Sequence, residues 1–168
     1  MTTLILTVAG SDRPGLVAAV ADIVDAHGGN WESSQLAELA GVFAGVIQVS
    51  VAPEHEGELQ EALRALDGTL TVTVHTGADA APAAEQPVTV QVLGNDRPGI
   101  VREISAVLRA HELSIHDMTT QTRDAAMAGG RLFEASVAAT VPASADLAAL
   151  RADLERLTTE LQVDITLD

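Results

Sequence analysis

Two short stretches of this sequence carry residue types suited to holding an anion. They read Ser11-Asp12-Arg13-Pro14-Gly15-Leu16 and Asn95-Asp96-Arg97-Pro98-Gly99-Ile100, 84 residues apart. Each lies between an alternating apolar run and a run of helical apolar spacing. Proline suits the first helical position, where its missing N–H costs nothing, and it keeps the preceding residue out of helical dihedrals. Arg13 and Arg97 are therefore expected as N-caps, with Pro14 and Pro98 opening the helices. Asp12 and Asp96 are expected to accept hydrogen bonds from first-turn amides. Gly15 and Gly99 leave those amides unshielded, so a carboxylate or phosphate can dock on free N–H groups at the positive end of the helix dipole. Neither turn is followed by Gly-Lys-Ser/Thr, and neither is GxGxxG, which favours a small carboxylate over a nucleotide. A helix start with no ligand is the competing reading.

The remaining chemistry is sparse. His27, His55, His75, His111 and His116 show no HxxxH or HExxH pairing, and no metal site is expected. His27 and His111 recur at the same helix end, where the dipole favours a cation, and capping is their expected role. His116-Asp117 falls on a strand, whose neighbouring side chains point to opposite faces, so it makes a poor catalytic pair. Arg13 in a first loop invites comparison with acylphosphatases, but the glycine-rich Gln-Gly loop of that family is missing, and such a small enzyme is a lesser alternative. No catalytic residue and no cofactor are assigned.

The two turns are positioned by a duplicated set of elements. At an offset of 84, Leu4, Leu6 and Val8 match Val88, Val90 and Val92, an alternating strand. Leu16, Val17, Val20, Ile23 and Val24 match Ile100, Val101, Ile104, Val107 and Leu108, a spacing that paints one helix face. Phe43, Ile47, Val49 and Val51 match Phe133, Val137, Ala139 and Val141 at an offset of 90, the extra residues falling in a longer hairpin loop over Arg123–Gly130. Leu59, Leu63 and Leu66 match Leu150, Leu154 and Leu157 on a second helix, and a closing strand follows in each copy. Each copy thus reads βαββαβ, and the expected fold is α+β: two ferredoxin-like sandwiches in tandem, antiparallel sheets with helices on one face. The expected bounds are 1–75 and 88–168, joined by an Ala/Pro-rich linker over 76–87. The run Val42-Phe43-Ala44-Gly45-Val46-Ile47 breaks the alternation, which implies that its second face is covered by the other repeat or another subunit.

Composition narrows the function classes. Twenty-four acidic against nine basic residues give a formal charge of −15, a field that repels nucleic acid, and two Phe and one Trp cannot build a base-stacking surface. No apolar run is long enough to span a membrane, the first residues lack the basic region of a signal peptide, and there are no cysteines. A cytoplasmic protein is expected.

Strand, GxDRPG followed by two apolar residues, amphipathic helix and then Asn30 ahead of a second strand resemble the ACT domain, a regulatory module that commonly binds amino acids. Two such copies filling nearly the whole chain resemble the glycine cleavage system transcriptional repressor family. The resemblance implies a non-enzymatic regulator whose ligand sits between a strand 1–helix 1 turn and an adjoining module. It implies ligand contacts at Ser11, Asp12, Arg13, Gly15, Leu16 and Asn30, and at Asn95, Asp96, Arg97, Gly99 and Ile100, with Ser114 departing from the pattern at the position of Asn30. Glycine or serine is the implied ligand, a transcription factor the implied protein partner, and a homodimer one way of supplying the adjoining module. An interaction module without a ligand is the alternative.

Overall fold

The computed structural model describes residues 1–77, 85–125, 130–161 and 163–167. The chain divides into two compact units, Met1–Ala80 and Ala81–Asp168. Unit 1 runs β1 (Thr2–Ser11), α1 (Leu16–Ala26), β2 (Asn30–Leu39), β3 (Val42–Val51), α2 (Glu56–Arg64) and β4 (Thr71–Thr76). Unit 2 repeats the order with β5 (Glu85–Asn95), α3 (Ile100–Ala110), β6 (Ser114–Asp124), β7 (Arg131–Pro142), α4 (Leu147–Leu161) and β8 (Val163–Leu167). The antiparallel sheets are ordered β2-β3-β1-β4 and β6-β7-β5-β8, the ferredoxin-like arrangement expected from the repeat.

Period-2 burial fixes the strands and period-3.6 burial the helices. Leu4, Leu6 and Val8 on β1 and Ile47, Val49 and Val51 on β3 face Leu16, Val20 and Val24 of α1 and Leu59 and Leu63 of α2. Val90, Val137, Ile104, Leu108 and Leu154 do the same work in unit 2. No polar or charged residue is buried among the described residues. The helical face is narrower than the apolar spacing suggests, for Val17 and Val101 lie on its flank and stay exposed.

Helix α1 ends on Gly28 at φ 66, whose N–H bonds Asp25 O, while the next amide, Gly29 N–H, reaches Val24 O at 2.9 Å. Helix α3 ends the same way with Glu112 at φ 58, a left-handed conformation that glycine adopts more easily. The hairpin between β2 and β3 turns on Ala40 and Gly41, both at positive φ, as a two-residue primed turn requires.

The expected 76–87 linker is too long. Thr76 pairs with Leu4, and Glu85, Gln86 and Pro87 pair with Pro142, Val141 and Thr140, so strands enter that stretch from both sides; residues 78–84 lie outside the described residues. Pro87 is tolerated in β5 because β8 pairs only with Val90–Gly94, leaving one side of the strand without a ladder there. Within the expected Arg123–Gly130 loop, Arg123 and Asp124 belong to β6, and residues 126–129 lie outside the described residues.

Candidate ligand-binding turns

Both Asp-Arg-Pro-Gly segments stand at the end of a central strand and at the start of a helix, but the helices begin later than expected. Leu16 and Ile100 are the first helical residues, and Gly15 (φ 93, ψ 0) and Gly99 (φ 92, ψ −6) are the N-caps. Arg13 and Arg97 are therefore not caps and Pro14 and Pro98 not first-turn residues. Pro-Gly with glycine at these dihedrals is the central pair of a type II turn, and that turn competes with the helix for the same residues. No side chain caps either helix, so the proposed bonds to Asp12 and Asp96 carboxylates are absent as well. The backbone amides of these aspartates are what hold the turns: Asp12 N–H donates to Gly41 O at 2.9 Å and Asp96 N–H to Arg131 O at 2.8 Å. Each turn is thereby pinned to the neighbouring hairpin, at the β2–β3 turn in unit 1 and at the first residue of β7 in unit 2.

The first helical hydrogen bonds run from Ala19 N–H to Gly15 O and from Glu103 N–H to Gly99 O. The three amides before each bond, those of Leu16–Ala18 and Ile100–Arg102, project from an uncapped helix end. Leu16 and Ile100 are 4% and 2% exposed and belong to the cores, so a ligand could meet only their backbone, not their side chains. Ser11, Asp12, Arg13 and Gly15 are exposed and share one end of unit 1; Asn95, Asp96 and Gly99 are exposed and Arg97 half-buried at the matching end of unit 2.

Asn30 and Ser114 do not join these groups within their own units. Asn30 pairs with Ser50, which pairs with Thr3 at the start of β1, whereas Ser11 pairs with Val42 at its far end. Ser114 likewise pairs with Thr140. A helix that returns antiparallel to its strand must deliver the next strand at the opposite end of the sheet, about 30 Å away for a ten-residue strand. Asn30 Nδ2 donates to Glu32 Oε1 at 2.8 Å, and Ser50 Oγ donates to the same oxygen at 2.6 Å, which holds the Glu32 carboxyl below its usual range. Trp31 lies at this end too, packed against the core and remote from the turn.

The two turns differ in what surrounds them. Arg97 Nη2 donates to Glu103 Oε2 at 2.6 Å, and Glu103 Oε1 would lie 3.5 Å from a Cβ placed on Gly99. Glu103 thus stands over the turn and neutralises its arginine. At an offset of 84 the matching residue is Ala19, Arg13 has no side-chain partner among the described residues, and nothing lies within 4 Å of a Cβ placed on Gly15. Sequence comparison of the repeats puts Ala19 against Glu103, yet only the fold reveals that this position overlooks the turn.

The histidines act locally. His27 Nδ1 donates to Ile23 O at 2.8 Å, closing the last turn of α1 as expected. His111 departs from that role, its Nε2 lying 2.8 Å from Asp153 Oδ2 on α4, a hydrogen bond that lowers the Asp153 pKa. His116 occupies a bulge and bonds Thr140 Oγ1, which donates in turn to Glu85. No group of three His, Asp or Glu residues able to hold a metal occurs among the described residues. Two grooves lie away from the turns on the sheets, one of about 560 Å³ lined by Gln91, Leu93, Thr119 and Glu134, the other of about 270 Å³ lined by Ile5, Gln35, Val46 and Gln48. Among the described residues no helix is long and apolar enough to cross a membrane.

These features define a class: two successive βαββαβ modules, each with an uncapped helix behind an Asp-Arg-Pro-Gly turn. The ACT domain family matches residues 2–77 and again residues 82–164. A glycine cleavage system transcriptional repressor of Escherichia coli (strain K12) is 31% identical over 162 residues, which cover 94% of this chain and 85% of that protein. A UPF0237 protein of Methanopyrus kandleri is 36% identical over 76 residues, 44% of this chain and 84% of its own length. The crystal structure of an unknown protein from Galdieria sulphuraria superposes with a TM-score of 0.91 at 28% identity, over 99% of this chain and 97% of that one. The chain belongs to the ACT-domain family and carries two ACT domains in tandem.

Proposed function

We propose that this protein is a non-enzymatic, cytoplasmic regulator that binds a small amino acid at the turn of its first repeat and changes its affinity for a partner protein in response. The observation that carries this reading is the open turn of unit 1, where α1 has no side-chain cap, Arg13 has no side-chain partner among the described residues and nothing lies within 4 Å of a Cβ placed on Gly15. In this reading the carboxylate of the amino acid bonds the amides of Val17 and Ala18 and the Arg13 guanidinium, and Asp12 and Ser11 receive its ammonium. In unit 2 the Glu103 carboxylate already occupies that place, so Asn95, Asp96, Arg97 and Gly99 form a closed copy. Asn30 and Ser114 contribute only if a second module is brought alongside.

Glycine and serine are the first ligands to try, since the E. coli relative is named for glycine cleavage. A repressor acting through another protein, such as a transcription factor of amino-acid or one-carbon metabolism, suits a chain of charge −15 better than direct contact with DNA. For the amino acid to act as a signal it must bind two states of the protein with different affinity.

A thermal-shift and calorimetric screen of the full chain against the twenty amino acids tests the reading. A response confined to one or two of them, at one site per chain, is expected. No response to any would leave a purely structural interaction module as the better account.

A further inference from the structure

The turn between α2 and β4 holds a reactive pair of neighbours that neither the core nor the ligand reading uses. Asp67-Gly68 is the one place in the chain where an aspartate precedes a glycine, and neither Asn30 nor Asn95 precedes one. Glycine has no Cβ to block the approach of the preceding carboxyl to its amide nitrogen, and its backbone bends freely. In this turn the approach has been made: Gly68 N–H donates to Asp67 Oδ1 at 3.1 Å. The amides around it are held by the main chain instead, Asp67 N–H by Arg64 O and Thr69 and Leu70 N–H by Leu66 O. Gly68 stands at φ 90, nothing lies within 4 Å of a Cβ placed on it, and both residues are exposed. Solvent reaches the pair, and no packed neighbour resists its rotation.

Unit 2 has no such pair. Leu66 matches Leu157, which puts Thr158 and Thr159 at the positions of Asp67 and Gly68. Both threonines lie within α4, Thr158 Oγ1 donating to Leu154 O and Thr159 Oγ1 to Glu155 O.

We propose that Asp67-Gly68 is a site of spontaneous covalent modification, at which Asp67 converts to isoaspartate through a cyclic imide. Gly68 N attacks Asp67 Cγ, and the new N–Cγ bond closes a succinimide ring. One carboxyl oxygen leaves as water, carrying the amide proton and one proton from solvent. Water then opens the ring. Its addition at Cγ breaks the new bond and restores aspartate. Its addition at the main-chain carbonyl carbon of Asp67 breaks the original bond to Gly68 N, so that the chain runs on through Cγ and the α-carboxylate is free. The water lost is regained, and the reaction needs no oxidant or reductant.

The product lengthens the main chain by one carbon in a turn with packed residues on both sides. Leu66 packs against the core before it, and Leu70 is buried after it. Thr69 O would lie 2.9 Å from a Cβ placed on Gly10, the residue ahead of Ser11 and Asp12. Packed interiors transmit such strain, so the added carbon presses on the end of β1 and lowers the stability of unit 1. The proposal stands whether or not the neighbouring turn binds an amino acid.

Incubation of the full, folded chain at neutral pH in water enriched in heavy oxygen, followed by peptide mapping with electron-transfer fragmentation, tests the proposal. Isoaspartate carrying heavy oxygen is expected at Asp67 ahead of every other aspartate, and the melting midpoint should fall as that fraction grows. Asp67→Glu, whose imide would need a larger ring, loses both the product and the fall in midpoint. Asp67→Asn, which forms the same imide by expelling ammonia, gains the product faster. Both substitutions are at an exposed side chain, and melting curves of the fresh variants confirm that they are folded. Absence of isoaspartate at Asp67, its appearance only after unfolding in urea, or equal accumulation at other aspartates overturns the proposal. A midpoint indifferent to the isoaspartyl fraction overturns the strain drawn at Gly10.

Discussion

Unit 1 and unit 2 were built from the same plan and have been furnished differently. Their helix-start turns share one conformation at the glycine, with Gly15 and Gly99 at φ 93 and 92, and both aspartate amides are tied to the neighbouring hairpin. Around that shared backbone, unit 2 has added carboxylates where unit 1 has alanine. Glu103 replaces Ala19 and clamps Arg97; Asp153 replaces Ala62 and holds His111. The second repeat spends its arginine and histidine on internal pairs, and the first leaves the arginine open. A backbone preserved in both copies identifies the geometry that the fold needs, while the side chains that differ separate an open turn from a closed one.

The largest effect should come from exchanging the residue that separates the turns. Ala19→Glu is expected to close unit 1 and abolish the amino-acid-dependent stabilisation, which amounts to about 2.7 kcal/mol at 100 times the dissociation constant and is read as a rise in melting midpoint. Glu103→Ala should do the reverse and add a second binding event in calorimetry. If Ala19→Glu leaves the response untouched, the turn of unit 1 is not the site.

Next in size is the arginine itself. Arg13→Ala should lose a charge-assisted hydrogen bond of about 1.5–3 kcal/mol, read as a roughly 10- to 100-fold weaker affinity with unchanged apo stability. Arg97→Ala should leave affinity alone and reduce stability by no more than about 1 kcal/mol, since its ion pair is partly exposed. Equal losses of affinity in the two variants would show that the repeats bind alike.

The shared backbone predicts shared costs. Gly15→Ala and Gly99→Ala should each destabilise by about 1–2 kcal/mol in urea unfolding, because both positions are left-handed. Glu112→Gly, at the one helix end where unit 2 lacks the glycine of unit 1, should stabilise by about 1 kcal/mol.

The smallest effect is a pH dependence at the His111–Asp153 pair of unit 2. The hydrogen bond from His111 lowers the Asp153 pKa, as does the nearby charge of Arg156. A carboxyl depressed on folding contributes stability above its unfolded pKa and loses it as pH falls through the folded value. Asp153→Asn should therefore lower the melting midpoint slightly at neutral pH, and the difference from wild type should vanish in acid. A difference that persists in acid would assign the role of Asp153 to packing or neutral hydrogen bonding.

Much of the fold could be read from residue order because each signal was local and occurred twice. Leu4, Leu6 and Val8 alternate, Leu16, Val20 and Val24 repeat at helical spacing, and the same pattern returns 84 residues later. The helix starts were misplaced by two residues because Pro-Gly satisfies both a first helical turn and a type II turn, and only the pinning of Asp12 to Gly41 and Asp96 to Arg131 decides between them. Leu16 and Ile100 stood beside the candidate anion-binding residues in sequence but were claimed by the core. Asn30 stood with them through the family resemblance, and strand reversal placed it at the other end of its unit.

The sequence alone determined the duplication, the order βαββαβ and the two candidate turns, because apolar period and turn chemistry act over a few residues and leave their mark in spacing. The tertiary structure decided which turn is open. Whether an arginine is free depends on a side chain six residues away across a helix end, Glu103 for Arg97 and nothing for Arg13, and that proximity exists only once the helix has formed and the turn has been fastened to its hairpin.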